Sequence, residues 1–553
     1  MRYQQDPSQT ELFDFYEQIL SPVGYRRLLN GWQHLFRTAI LRLMPVGRLA
    51  ERFDPAIGRP TKELYSVAAL LFVMEFRDWT HQEAADAYMF NVDVQYALNL
   101  RPENQSLCRR TIERYIELFR EDELAADIMN DVTAELVKLL ELDVSKQRLD
   151  STHIESNMAK FGRIRLMVTA IKRFLTQIKR HDEGSYNALP RSVRDRYEAG
   201  ANALFGWKKL EDDEIDTLRQ SVAEDLLYLV ERYRRNRKHH QRSTYLAMAK
   251  ILEQQCEITD GTVELKKNTG GDVICNSSDV DATFDGHKGS GYQVQLSETY
   301  SSENCVQLIV AAHVETACTH DSHAIGWLLD HYQSQGGSMP QTLLADTAYG
   351  SDDNFQKCAN GASWTSPLKP DHEATSAPVV KLVSPTSGKV SEAETLSPNA
   401  SKPLTTLDFP YDASVNRFTH CPAGKELHRA HYRKMHDQHH LLMLSDDCRS
   451  CPLRSRCPMQ GDPMLYDMRI DGKDLRLAQR RQAEETDTFR REYRKRGGIE
   501  ATNSILKRVT GLSRLRVRGR PAMTTSTLLK VAGWNVLQAT RGHRSRQKSL
   551  SAA

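Results

Sequence analysis

Three acidic residues occupy positions from which a side chain can do chemistry. Asp150 follows the alternating run KQRL, and Asp346 follows QTLLA. A carboxylate leaving a strand projects from the rim of a sheet and not into its core, although either aspartate alone is equally the first residue of a turn or a helix cap. The third, Glu500, lies in EYRKRGGIEATNSILKR, where Tyr493, Arg496, Glu500, Asn503 and Lys507 recur at intervals of three, four, three and four residues. On a continuous helix that spacing puts all five on one face, which is either a solvated, salt-bridged surface or a site. Gly497 and Gly498 each disfavour helix by about 1 kcal/mol relative to Ala, so the helix is expected to begin there, with Tyr493 and Arg496 on a preceding turn.

A second group of residues suits a metal. Of ten cysteines, Cys421, Cys448, Cys451 and Cys457 lie close together. CRSCPLRSRC contains the two-residue spacing of a zinc knuckle, and Cys421 in HCPAG supplies a fourth sulfur for a tetrahedral structural Zn²⁺ site. His420, His436, His439 and His440 are near enough in sequence to replace one sulfur. Free thiols in a reducing compartment are the alternative.

These residues need elements to position them. KQRLDSTHI at 146–154 fits a strand ending in Asp150. GYQVQLSETY and the nearly continuous apolar run VQLIVAAHVETA read as strands, HDSHAIGWLLDHYQSQ as a helix, and QTLLADTAYG as a further strand. Strand, strand, helix, strand is an α/β unit with helices packed on a sheet. Upstream, residues 1–140 read as helical: TKELYSVAALLFVMEF carries an apolar face, Thr80 with Glu83 forms a capping box, and CRRTIERYIELFRE sets Arg109, Arg110 and Arg114 along one edge. That pattern fits a helix-turn-helix variant or a plain bundle. From about 160 to 260 the chain is charged and helical, an inserted arm. Residues 370–405, rich in Ser, Pro and Thr, read as a flexible linker.

Composition sets the outer limits. At 553 residues, the chain suggests several units at about 150 residues each. No apolar stretch is long enough to span a bilayer and no secretory signal is visible, so a cytoplasmic protein is expected. Net charge is only +3, but the stretch from LRLAQRRQ to RGHRSRQK is strongly basic. Such a stripe is what phosphate backbones require, or else it is a solvated tail. HKGSG at 287–291 lacks the full phosphate-loop spacing, and Trp534 falls on an apolar helix face.

The spacing Tyr493, two residues, Arg496, three residues, Glu500, six residues, Lys507 resembles the YREK signature of bacterial insertion-sequence transposases with a DDE catalytic domain. DST at 150–152 and ADTAYGS around Asp346 look like that family's two aspartate motifs, GRPTKELYSVAALL like its helical N-terminal domain, and DGHKGSGYQVQLSET like its second core strand. The resemblance implies an α/β, ribonuclease H-like mixed-sheet core with a helical N-terminal DNA-binding domain (1–140). It further implies a first core part (141–369) holding the helical insertion, an insertion with linker and zinc-ribbon-like cysteine cluster (370–480), and C-terminal core helices with a basic tail (481–553).

It also implies chemistry. Three clustered carboxylates repel one another unless a cation is present, and oxygen ligands favour Mg²⁺ or Mn²⁺. Asp150, Asp346 and Glu500 are then the catalytic metal ligands, while Tyr493, Arg496 and Lys507 hold terminal phosphates and bases of DNA. The implied partners are terminal inverted repeats and target DNA, engaged by a homodimer in the nucleoid, with no membrane and no small-molecule substrate. An inactive DNA-binding derivative, or a nuclease without strand transfer, shares the same motifs.

Overall fold

The computed structural model describes residues 1–9, 14–100, 106–159, 161–198, 212–335, 339–360, 380–387, 403–461 and 464–552. Its N-terminal part is helical, with α1 (Leu64–Phe76), α2 (His81–Phe90), α3 (Arg109–Glu121) and α4 (Leu124–Leu140) as the main elements. The expected apolar face of α1 is in fact an apolar circumference: every residue from Leu64 to Met74 except Tyr65 is buried, as is Phe76. Helix α2 starts at the reciprocal Thr80–Glu83 capping box. On α3, Arg109 is engaged by Glu113 at 2.7 Å and Arg114 lies over the Phe53 ring.

A mixed sheet follows. Its strands are β1 (Lys146–Ile154), β2 (Thr283–Asp285), β3 (Gly289–Thr299), β4 (Ile309–Thr316), β5 (Thr342–Leu344) and β6 (Lys381–Val383). Strand β1 is central: β3 lies antiparallel on one side and β5 parallel on the other. Strands β4 and β2 pair antiparallel with β3, and β6 extends the sheet parallel to β5. The strand–strand–helix–strand order read from the sequence is present, its helix being α8 (Ala324–Ser334), which follows α5 (Arg163–His181), α6 (Asp212–Tyr233) and α7 (Ser243–Gln255) of the inserted arm.

Two features depart from the sequence reading. Strand β1 does not end at Asp150: its antiparallel partner carries the pairing on to Ile154↔Tyr292, whereas the parallel partner stops at Arg148↔Leu344. The linker expected at 370–405 lies largely outside the described residues, but its segment Lys381–Val383 is an edge strand, with Val380, Leu382 and Val383 buried. Three apolar residues suffice there because β5 supplies a ready hydrogen-bonding edge.

Helices cover both faces of the sheet. Leu149, Ala311 and Leu343 pack against Ile325, Leu328 and Leu329 of α8. The other face, through Ile154, Tyr292, Val294 and Leu296, shares one continuous core with α1, α3, α4 and the long helix α12 (Arg520–Ala552). Helix α12 approaches α1 so closely that a Cβ on Gly533 would lie 2.0 Å from the Phe76 Cβ. Trp534 is core, 3% exposed, and the fully buried Lys530 donates to the Glu75 and Thr510 carbonyls at 2.7 and 2.6 Å.

The inserted arm has a core of its own. Helices α5 (Arg163–His181), α6 (Asp212–Tyr233) and α7 (Ser243–Gln255) enclose Phe174, Leu226, Tyr233 and Met248, and a hairpin at Cys256–Leu265 closes it. Further along, β7 (Arg429–Arg433), β8 (Gln438–Leu444) and β9 (Leu465–Asp471), with a short strand at Gln460–Gly461, form a second, antiparallel sheet. From it the chain runs into α9 (Gly472–Glu484), α10 (Asp487–Tyr493) and α11 (Gly498–Thr510).

Candidate active site

Asp150 and Asp346 are brought level by the sheet. Arg148 pairs with Leu344 in the parallel register, each aspartate comes two residues further along its chain, past the end of β5, and the charge of Asp346 is felt at Asp150. Asp346 is also the cap that its sequence suggested: its Oδ1 accepts the Ala348 N–H at 2.8 Å at the start of a one-turn 3₁₀ helix. Its backbone carbonyl accepts the Ser384 hydroxyl at 2.6 Å, tying the turn to the residue after β6.

The third acid comes in on α11, which begins at Gly498 as the glycine pair predicts. Tyr493 ends α10, and Arg496 sits in the intervening 3₁₀ turn, Arg494–Gly497. The absence of a side chain at Gly498 is required: a Cβ there would lie 2.0 Å from Arg148 Nη1. Arg148 donates from Nη1 to the Lys495 carbonyl at 3.0 Å and makes a buried ion pair with Glu298 at 2.6 Å. Glu298 in turn accepts the Thr502 hydroxyl at 2.7 Å. Two bonds to the turn and the helix thus fix α11 against β1 and β3.

Along α11 the side chains converge on Asp150. Asn503 Nδ2 donates to Asp150 Oδ2 at 3.0 Å, and Arg496 Nη1 lies 3.7 Å from Oδ1. The same guanidinium hydrogen-bonds Glu500 one turn on, whose side chain is 60% exposed against 17% for Arg496. Arg496 is therefore the counter-ion shared by two of the acids. Burial pushes the Asp150 carboxyl up to about 6; Arg496 opposes the rise, and the charges of Asp346 and Glu500 add to it. The charges of two further acids thus act on one carboxyl at a partly exposed rim. Among the described residues, no three His, Cys, Asp or Glu side chains stand close enough together to hold a metal, and Glu500 is turned onto Arg496.

Tyr493 and Lys507 occupy the flanks. Tyr493 stacks on Phe489, 5.7 Å between ring centres, and packs beside Tyr300, Leu344 and Val383, so part of its ring is committed to the edge of the sheet. Lys507, a further turn along from Asn503, is half-buried, and that burial lowers the pKa of its ammonium. Sequence reasoning set Asn503 on this helix face without a role and did not find Arg148, Glu298 or Thr502. Arg148 carried a usable signal: two residues before Asp150, it points to the same face of the strand.

The four clustered cysteines line one cavity of about 20 Å³, room for a single ion or water. Cys421 opens a tight turn: its carbonyl accepts the Gly424 N–H at 2.9 Å, its N–H donates to the Lys425 carbonyl at 2.8 Å, and Gly424 adopts φ +80°. Burial raises the Cys448 thiol, and Cys457, Cys421 and Cys451 raise it further. None of the nearby histidines lines this cavity. His439 is packed among Tyr411, Phe418 and Tyr432, and His440 faces Asp467 at 3.1 Å.

Residues 420–539, which carry the cysteines, the second sheet, Tyr493, Arg496, Glu500 and Lys507, match a family model described as a transposase DDE domain. No curated protein and no solved structure matches the chain. Among the described residues, no helix is long and apolar enough to cross a membrane.

Proposed function

Since residues 420–539 match a transposase DDE domain, we propose that the chain is a DDE-type transposase with Asp150, Asp346 and Glu500 as its catalytic acids, cutting DNA at the ends of an insertion sequence and joining the freed ends to target DNA. The observation that carries this reading is the convergence on Asp150 of β1: Asp346 follows the end of the neighbouring β5, the 3₁₀ turn brings Arg496 to the same carboxylate, and α11 brings Asn503 to it and Glu500 to Arg496. The sheet order, with the antiparallel β3 and its partners β2 and β4 on one side of β1 and the parallel β5 and β6 on the other, supports a ribonuclease H-like core. The proposed organisation keeps the ranges read from the sequence, 1–140, 141–369, 370–480 and 481–553.

Transposases of this kind generally use divalent metal ions, and the three acids are the side chains that would hold Mg²⁺ or Mn²⁺. When bound, two such ions activate the attacking oxygen and stabilise the leaving oxygen of an in-line displacement at phosphorus. The chain's own contribution is placement. Asn503 fixes one Asp150 oxygen, leaving the other toward the rim, and Asp346 is held by its own cap. Arg496 neutralises Asp150 and Glu500 until DNA and metal arrive, and can then turn its fork onto a phosphate. Lys507 adds a point charge, and the remaining face of Tyr493 offers a surface for a base. The inferred partners are terminal repeats and target DNA, held by a dimer in the nucleoid.

Incubating the protein with its native ends and Mg²⁺ tests this directly. The expected products are 3′-hydroxyl ends and their joined forms with target DNA. Nicks without joining favour a nuclease, and intact DNA with retained binding favours an inactive relative.

The same reading assigns the cysteine cavity a structural zinc that holds the second sheet together and takes no part in the chemistry. Purified protein is expected to carry about one equivalent of zinc, lost together with thermal stability in Cys448→Ser/Cys451→Ser. Less than about half an equivalent in the unmodified protein removes the assignment.

A further inference from the structure

The helical arm ends in a turn whose charges are not balanced. Between α6 and α7 the chain reads RYRRNRKHHQR, residues 232–242. The segment is built as successive tight turns: the Asn236 N–H donates to the Tyr233 carbonyl at 3.0 Å, the His239 N–H to the Asn236 carbonyl at 3.1 Å, and the Arg242 N–H to the His239 carbonyl at 3.1 Å. Two anchors hold it to the arm. Tyr233 and His239 are 2% and 1% exposed and meet edge to face, and His239 Nε2 lies 3.1 Å from Asp182 Oδ2 at the end of α5. An ordered loop with a buried floor is therefore presenting its cations outward.

Arg232, Arg234, Arg235, Arg237 and Lys238 are all exposed. Glu231 engages Arg234 at 3.3 Å, and Asp182, already committed to His239, lies 3.8 Å from Lys238. Arg235 and Arg237 have no ion-pair or hydrogen-bond partner among the described residues. Arg42, Arg48, Arg52 and Arg109, also exposed, each face an acid. A solvated helical surface is usually laced with opposite charge, whereas a rigid cluster of unpaired guanidinium groups suits a polyanion backbone.

We infer that the turn at 232–242 is a second, sequence-independent contact for DNA phosphates, separate from the rim that holds Asp150, Asp346 and Glu500. The inference rests on the transposase reading for the identity of the polyanion. Each arginine that neutralises a phosphate releases counterions, so the contact has a measurable salt signature. The test uses the full chain, Arg235→Glu/Arg237→Glu and Arg235→Lys/Arg237→Lys, titrated with a random-sequence DNA duplex over a salt series.

The charge-reversed protein should bind about tenfold more weakly at low salt, with a slope of log affinity against log salt smaller by about 2, while the lysine variant keeps the slope. Unchanged affinity and slope in a charge-reversed protein that melts like the parent overturns the contact. The two readings fail separately. A parent protein that cuts no ends sinks the proposed chemistry and leaves the slope difference standing, whereas end cutting with no slope difference sinks only the turn.

Discussion

Asp346→Asn is expected to abolish strand cleavage while leaving the fold and the binding of DNA ends in place. The prediction rests on a separation of two roles within one side chain. The oxygen that caps Ala348 at 2.8 Å can be replaced by the amide oxygen of asparagine, so the 3₁₀ turn and its tie to Ser384 survive. What is lost is one of the negative charges whose fields meet at Asp150. Metal-assisted displacement draws several kcal/mol of transition-state stabilisation from its ions, and losing about 4 kcal/mol slows cleavage about a thousandfold. Single-turnover cleavage of end-bearing DNA, with a band shift for binding and a thermal melt for folding, measures all three quantities. Cleavage at the parent rate would remove Asp346 from the site.

Arg148→Ala should produce the largest loss of stability. Arg148 and Glu298 side chains are 11% and 3% exposed, and burial already pushes the Glu298 carboxyl upward against the pull of Arg148. Removing the guanidinium leaves Glu298 buried beside Thr502 alone, which costs about 3–5 kcal/mol. Gly498→Ala works through the same group: the new methyl must displace Arg148 or lift the start of α11, so it both destabilises and misplaces Glu500. Chemical denaturation of Arg148→Ala, Glu298→Ala and the double variant tests the coupling. The double variant should be clearly less destabilised than the sum of the single ones. An Arg148→Ala loss under about 1 kcal/mol, the scale of an exposed pair, would show that the clamp does not hold the helix.

Local signals in the chain read correctly where the cause is local. The glycine pair marks the break between the 3₁₀ turn and α11, Thr80 and Glu83 mark a helix start, and the alternation from 146 to 154 marks β1 over its full range. Features decided by distant neighbours stayed hidden. Asp150 looked like the end of a strand, but a strand ends where its partners do, and β3 continues past it on one side only. Lys381–Val383 is too short to announce a strand inside a Ser- and Pro-rich stretch. Arg496 was set on one face with Glu500, but its approach to Asp150 at 3.7 Å was not read from the sequence. The contact of Arg496 with Asp150, like that of Arg148 with Glu298, joins segments far apart in sequence and leaves no periodic trace.

Helix α12 is made late, yet it packs against α1 and α4, which are made early, and against the sheet between them. Synthesis from the N-terminus therefore leaves the apolar circumference of α1 without this partner until α12 has been made, a state prone to chaperone capture and association. The acids have a similar schedule, since Asp150 emerges long before the turn that supplies Arg496. The rim around Asp150 is thus assembled only after the turn that supplies Arg496 and the helix that supplies Asn503 have been made.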